Sequence, residues 1–377
     1  MKIIIAPDSY KGSLLANEVA LTIEQGLSHA LPNAKFIRVP MADGGEGTLD
    51  SLLASCPLTL HTTEVTNPIG EKIKASFGVL EDNTAVIEMA SASGISLIPI
   101  EKRNPFNTTT FGTGELIRAA LDFGCRRFIV GLGGSATCDG GVGALAALGV
   151  QFKDAAGIKI EPTAAGLEKL KTIDMATIDP RLTFSEFILA HDVDNPLLGP
   201  QGALMYAPQK GATPEQIIHL HKILEQYAHL IANMTGKMVG NLPGTGAAGG
   251  LAAGLYAFLN ATLEPGVSKM IKAVQLFEKM QGASLVITGE GQIDAQTIHG
   301  KTPIGVAQCA KKLQIPVIAI AARFGKGYHE VYSHGIDAVF SIVNAPMSTE
   351  ICHTFTKPLL AATANNIGRL INLGIHK

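Results

Sequence analysis

Apolar residues fall in short runs, and the period of those runs changes along the chain. Residues 3–6 form a continuous apolar strand that runs into Pro7-Asp8-Ser9-Tyr10-Lys11-Gly12-Ser13. Val19, Ile23, Leu27 and Ala30 follow at helical spacing. Residues 36–39 read as a second strand, ending in Pro40-Met41-Ala42-Asp43-Gly44-Gly45-Glu46-Gly47-Thr48. A helix with Leu49, Leu52 and Leu53 comes next. This βαβα order predicts a parallel sheet, whose carboxyl edge is where ligands bind in open α/β folds.

The texture changes near Pro57. Segments 58–65, 73–79 and 85–89 alternate between apolar and polar, with turn residues between them, and predict antiparallel strands. A helix with Leu116, Ala119 and Ala120 opens after Thr108-Thr109-Thr110. The strand at Ile129-Val130 feeds a glycine-rich loop, residues 131–141, that opens a small-residue helix. Residues 187–190 form a strand leading into His191-Asp192-Val193-Asp194-Asn195. One helix is predicted over 214–234, and a second glycine loop, residues 243–250, enters another. From about Leu263 the first texture returns. Strands are predicted at 285–288, 316–321 and 338–343, a loop at 289–294, and a last helix at 356–373. The simplest account is an α/β domain made of residues 1–57 and 265–377, interrupted by a mixed α/β domain, residues 58–264.

Composition narrows the function classes. At 377 residues the chain has room for two domains. Charged residues make up 16% and the net charge is −2, so no basic field exists to hold a nucleic acid. The five cysteines are scattered with no CxxC pair, which points to a reducing cytoplasm and away from a structural zinc site. No signal-peptide pattern or membrane-spanning apolar run is expected.

The loop at 131–141 is the strongest chemical signal. Glycine lets main-chain N–H groups approach an anion, and a helix start favours negative charge. Gly133, Gly134, Ser135 and Thr137 are candidate nucleotide-phosphate contacts. Asp139 could touch a metal ion, and Gly246 lies in the second glycine loop. The bland alternative is a tight turn with a closely packed helix. Lys11 could hold an anion as a point charge, with Asp8, Ser9 and Ser13 beside it; caps and a solvated lysine are the alternative. Asp43 and Glu46 sit among glycines, where an acid can hold Mg²⁺, accept a hydroxyl proton, or merely cap a helix. Asp192 is favoured over Asp194 for metal or base work. Glu290 and Asp294 form another acidic pair, followed by Lys301. Together these loops suit an anionic, metal-bound ligand such as ATP with Mg²⁺.

Seven segments, taken in order, resemble the type I family of bacterial glycerate kinases: APDSYKGSL (6–14), PMADGGEGT (40–48), TTTFGTGELI (108–117), GLGGSATCDGG (131–141), DVDNPLLG (192–199), PGTGAAGGL (243–251) and TGEGQIDAQTIHGKTPIGVA (288–307). The resemblance covers nearly the whole chain. It implies ATP-dependent phosphorylation of D-glycerate, at the 2-hydroxyl, to give 2-phosphoglycerate. It also implies a flavodoxin-like α/β domain interrupted by a second α/β domain, with the active site in the cleft. Three positions depart from the family: Cys138 replaces a commoner Asn, Tyr10 a commoner Phe, and Leu15 a small hydroxyl residue before the first helix.

The expected chemistry is direct in-line transfer. ATP phosphates rest on the 131–141 loop, with Mg²⁺ on carboxylates drawn from Asp192, Glu290 and Asp294. Lys11 neutralises charge, and Asp43 or Asp192 takes the substrate proton. Asp8, Ser9, Ser13, Glu46 and Lys301 contact the substrate. The rival readings are a glycerate 3-kinase, a kinase for a related sugar acid, and a non-catalytic nucleotide or sugar-acid sensor. The glycine loop is also similar to the GLGSSAS loop of the GHMP kinases, although the surrounding motifs do not fit. Monomer and homodimer both remain open.

Overall fold

The computed structural model describes residues 1–45, 47–259 and 261–375, so Glu46 lies outside the described residues. In chain order the strands are β1 (Lys2–Ile5), β2 (Lys35–Arg38), β3 (Leu58–Thr66), β4 (Lys72–Leu80), β5 (Thr84–Glu88), β6 (Arg127–Gly131) and β7 (Gln151–Lys153). They continue with β8 (Thr172–Asp174), β9 (Glu186–His191), β10 (Thr262–Pro265), β11 (Leu285–Ile293), β12 (Val317–Phe324) and β13 (Ala338–Ser341). The fold class is α/β, with one parallel and one mixed sheet, as expected from the strand pattern.

The chain divides into two compact units. One is Met1–Asp43, Asp50–Pro57 and Pro265–Lys377; the other is Gly44–Leu49 and Leu58–Glu264. Gly44–Leu49, expected with the first group, falls in the second. There the Leu49 N–H donates to Glu88 Oε1 at 2.6 Å, and Gly44 lies against Ala190.

The first unit is built on a five-stranded sheet of order β13-β12-β11-β1-β2, parallel throughout. Its core is aliphatic: Ile3, Ile5, Val19, Ile23, Leu27, Leu285, Ile287 and Ile320 are buried together. The helices Ala16–Ala30 and Thr356–Ile375 pack closely on one another. Gly26 permits this, since a Cβ there would lie 2.4 Å from Ala361 O. Leu15 offers the first helix no side-chain acceptor, yet Glu18 still accepts the Leu15 N–H at 2.9 Å, so half of the cap survives.

From β1 the chain moves to β2 on one side, and from β11 to β12 and β13 on the other. The crevice between the carboxyl ends of β1 and β11 is thus the topological switch point. β11 runs well beyond the predicted residue 288 and carries Glu290 on the strand itself. It is held in register with an equally extended β12, Glu290 opposite Ala321 and Ile293 opposite Phe324. Gly289 reads as a strand breaker, but here it is packing that excludes a side chain: a Cβ would meet Ile320 O at 2.1 Å.

The second unit holds a six-stranded sheet of order β10-β9-β6-β5-β4-β3. β3, β4 and β5 are antiparallel as the alternation predicts, while β5, β6 and β9 are parallel. Phe128 and Phe187 stack across neighbouring strands with ring centres 4.5 Å apart. The expected long helix is Pro214–Thr235. It starts with a capping box between Thr213 and Gln216, has proline in its first turn, and ends at Gly236 in the left-handed region.

Tyr10 has a structural role that the commoner Phe could not fill. Its buried hydroxyl donates to Ile320 O at 2.9 Å, tying the loop after β1 to β12. Tyr10→Phe leaves that carbonyl without its partner and is expected to lower stability by about 1–2 kcal/mol in urea unfolding. No change would mean that water or a shifted loop replaces the bond.

Candidate functional site

The first unit carries a pocket of about 390 Å³ at its switch point, with Asp8, Lys11, Asp43, Glu290, Lys301 and Arg323 among its lining. Asp8 follows β1, and its carboxylate accepts the Ser9 N–H at 2.6 Å and the Thr302 hydroxyl. Asp43 follows β2 and receives Lys11 Nζ at 3.1 Å; the lysine is largely exposed and the acid buried. Glu290 accepts the Thr297 hydroxyl at 2.7 Å, with Lys301 Nζ at 3.7 Å. Sequence reasoning named every one of these acids and lysines, and the fold brings them to one crevice.

Their electrostatics are unusual. Burial, reinforced by the charge of Asp43, pushes the Asp8 carboxyl up to about 7, despite the opposing pull of Lys11. Burial likewise raises Glu290 to about 7, against Lys301 and Thr297. Burial is the main cause, since Lys11, Lys301 and Arg323 line the same crevice, and a buried carboxyl is relieved by a proton or a hard cation. Among the described residues, no three His, Cys, Asp or Glu side chains gather closely enough to form a metal cage. A divalent ion here would take one or two carboxylates and draw its other oxygens from phosphate and water, which is the habit of Mg²⁺.

Ser9 and Ser13 also line the pocket, but the Ser13 hydroxyl is engaged with Thr356 Oγ1 at 2.6 Å. Asp294 stands apart from this lining. One of its oxygens accepts the Gln296 N–H at 2.8 Å and the other the Gln292 side-chain amide, so it stabilises a turn.

In the second unit the glycine loop separates into an accessible tip and a buried base. The tip is Gly133, Gly134 and Ser135, whose main-chain N–H groups have no hydrogen-bond partner among the described residues. Gly133 must be glycine there, since a Cβ would lie 2.5 Å from the Gly45 Cα. Thr137 and Asp139 lie in the base and are fully buried. Asp139 accepts the Thr110 N–H and hydroxyl, both at 2.8 Å, and the N–H groups of Gly141 and Gly143 at 3.1 and 3.2 Å. Its carboxylate is used in shaping the loop, and burial raises its pKa despite these bonds. Gly246 donates its N–H to Asn195 O at 2.9 Å, and a Cβ there would meet Pro196 O at 2.2 Å, so it packs the turn after β9.

Asp192, just past β9, is half-buried, whereas Asp194 is exposed. The neighbouring His191 donates from Nδ1 to Val193 O at 3.0 Å, and burial pushes its imidazole below the usual range.

Two groups escaped sequence reasoning. Thr302 reaches Asp8 from 294 residues away. Lys210, at the end of a short 3₁₀ turn, is buried beneath the glycine loop and donates to Ser135 Oγ at 2.7 Å and Thr137 O at 2.8 Å. A single lysine before a glycine carries no local signal of such a role.

An α/β fold with an acidic crevice at a switch point and an open anion-type glycine loop defines a class of small-molecule enzyme sites. The profile of the Glycerate kinase family matches residues 3–372, and the chain belongs to that family. It is 47% identical to a glycerate kinase of Bacillus subtilis, covering 99% of this chain and 98% of the relative. It is 45% identical to the glycerate 2-kinase of Escherichia coli, covering 100% and 99%. A Salmonella typhimurium LT2 crystal structure, assigned as glycerate kinase 2, superposes with a TM-score of 0.85 at 46% identity, with full coverage of both chains.

The raised carboxyls give stability a definite pH dependence. Asp and Glu titrate near 4 in an unfolded chain, whereas Glu290 titrates at about 7 here. Between those values the folded protein keeps a proton that the unfolded chain has lost, so this group's contribution falls as pH rises through that window. Urea unfolding from about pH 5 to about 8 is expected to show a smaller decline with pH for Glu290→Gln than for the native chain. Parallel curves would mean that Glu290 ionises normally.

Proposed function

We propose that this protein phosphorylates D-glycerate with ATP and Mg²⁺ to give 2-phosphoglycerate. The observation that carries the nucleotide half of this reading is the tip of the glycine loop, where three successive N–H groups stand open on a surface shaped by Gly133 and Gly134. Such a nest suits phosphate oxygens. The hydroxy-acid half rests on family membership and on the lysine–carboxylate crevice. The Escherichia coli relative is a glycerate 2-kinase, which supports the 2-hydroxyl as acceptor.

The roles follow from the chemistry of each side chain. Lys11, mostly exposed beside Asp43, supplies a mobile positive charge for a carboxylate or a phosphoryl group. Asp43, buried at the same pocket, takes the proton from the acceptor hydroxyl. Glu290 is the acid of the first unit proposed to hold Mg²⁺ and Asp192 a separate metal or base candidate of the second, while Asp294 is set aside because both its oxygens are committed to the turn. Bound Mg²⁺ supplies neutralisation of phosphate charge. The rest of the work is positioning, since phosphoryl transfer asks little covalent chemistry of the protein. The five cysteines are free thiols, which suits the proposed cytoplasmic location.

The pocket volume supports a second reading. At about 390 Å³ it falls in the range that houses ligands larger than a three-carbon acid. A longer sugar acid is therefore a rival substrate, and turnover of the four-carbon erythronate against glycerate separates the two.

The deciding assay combines ATP, Mg²⁺ and D-glycerate with enolase coupling and no phosphoglycerate mutase. Signal is expected. Signal that appears only when mutase is added would move the acceptor to the 3-hydroxyl. In the same assay Asp43→Asn and Asp192→Asn are each expected to lower kcat by about 10²–10⁴-fold. Near-normal turnover in both would overturn these roles.

A further inference from the structure

The lysine beneath the glycine loop has a consequence for how the loop meets its ligand. Lys210 is only 3% exposed, and its ammonium lies under Ser135 and Thr137 rather than in solvent. Lys210 is placed by the turn Pro208–Lys210, whose next residue, Gly211, adopts a left-handed conformation against Arg103 O. A buried lysine needs a reason. Burial lowers the pKa of its ammonium, with Cys138 and then Asp139 pulling the other way, and Asp139 spends its hydrogen bonds on Thr110, Gly141 and Gly143. What the ammonium does touch is the Ser135 hydroxyl oxygen.

An ammonium has three donors and no acceptor, so in this contact Ser135 Oγ must accept. The hydroxyl hydrogen is thereby turned away from Lys210. Among the described residues it meets no acceptor, just as the N–H groups of Gly133, Gly134 and Ser135 meet none. We infer that Lys210 is a positioning residue for nucleotide binding, forcing the Ser135 hydroxyl to donate outward, beside the open N–H groups, to a phosphate oxygen. This rests on the reading that the loop holds the nucleotide phosphates. Without the ammonium, Ser135 is free to turn its hydrogen inward, and the Thr137 carbonyl that Lys210 now occupies becomes an acceptor for other groups. The ammonium also polarises the hydroxyl and strengthens it as a donor.

The test is a double-mutant cycle on the full-length enzyme with Ser135→Ala, Lys210→Met and the pair, measuring KM for ATP and for D-glycerate separately. Methionine fills the lysine's stem volume and removes only the charge and the donors. Each single change is expected to raise the KM for ATP about tenfold, with a smaller effect on kcat and little on the KM for D-glycerate. The double variant is expected to be no worse than either single one, because both remove the same hydrogen bond. Small alkylamines are expected to restore ATP affinity in Lys210→Ala only when Ser135 is present. Additive losses in the double variant, or amine rescue that ignores Ser135, would overturn the inference while leaving the loop as the phosphate site. An unchanged ATP KM in Ser135→Ala would instead overturn the placement of the phosphates, and this inference with it. Equal rises in both KM values for Lys210→Met would mark a general collapse of the loop, and would also overturn it.

Discussion

The crowding of carboxylates at the carboxyl edge of the first unit's sheet is the constraint on which its site depends. Asp8, Asp43 and Glu290 reach one crevice from β1, β2 and β11, and Asp43 raises the pKa of both other acids. Lys11 and Lys301 offset this only in part. The crevice exists because the chain departs in opposite directions from β1 and β11, so no crossover covers the ends of those strands. A sheet optimised for stability alone would place apolar or paired groups there. Retaining clustered, solvent-shielded acids at that point is the kind of local conflict that marks a functional site.

The second unit handles buried charge in the opposite manner. Asp139 and Lys210 are each nearly inaccessible, but their hydrogen bonds are to groups that shape the loop. Four donors hold Asp139, and two acceptors hold Lys210. The main chain can then fold so tightly that a Cβ on Gly249 would lie 1.9 Å from Thr137 O. Among the described residues the N–H groups of Gly133, Gly134 and Ser135 are the open donors at the accessible tip, while below them the buried Thr137 hydroxyl has no hydrogen-bond partner. The polarity of the tip thus comes from the main chain, and its orientation from charges the surface never shows.

Much of this was legible in the sequence, and what was not has a common cause. Strand and helix types followed from local periodicity, and the glycine loops announced themselves by composition. The acids of the crevice were readable because each sits just after an apolar run. The extension of β11 was hidden, because Gly289 and Gly291 look like strand breakers until β12 pairs along their whole length. The grouping of Gly44–Leu49 depends on a bond to Glu88, and the role of Lys210 on a contact 75 residues away. Asp294 and Glu290 look equivalent in sequence, yet side-chain partners send one to a turn and leave the other at the pocket. Each of these is a tertiary contact, and no window of local sequence contains it.

The two halves share a thermodynamic property. Open donors at one site and proton-retaining acids at the other can each be engaged by a ligand, and such a ligand binds the folded chain and not the unfolded one. At the acidic crevice the ligand competes with protons. Asp8 and Glu290 are both raised to about 7, so near neutrality each is divided between a protonated form, which cannot coordinate a cation, and an ionised form, which can. Occupation by a cation therefore releases protons, and the coupling is strongest near neutrality. Burial, which makes the acids costly to ionise, is also what makes their charge effective once a cation arrives, because little solvent screens the pair.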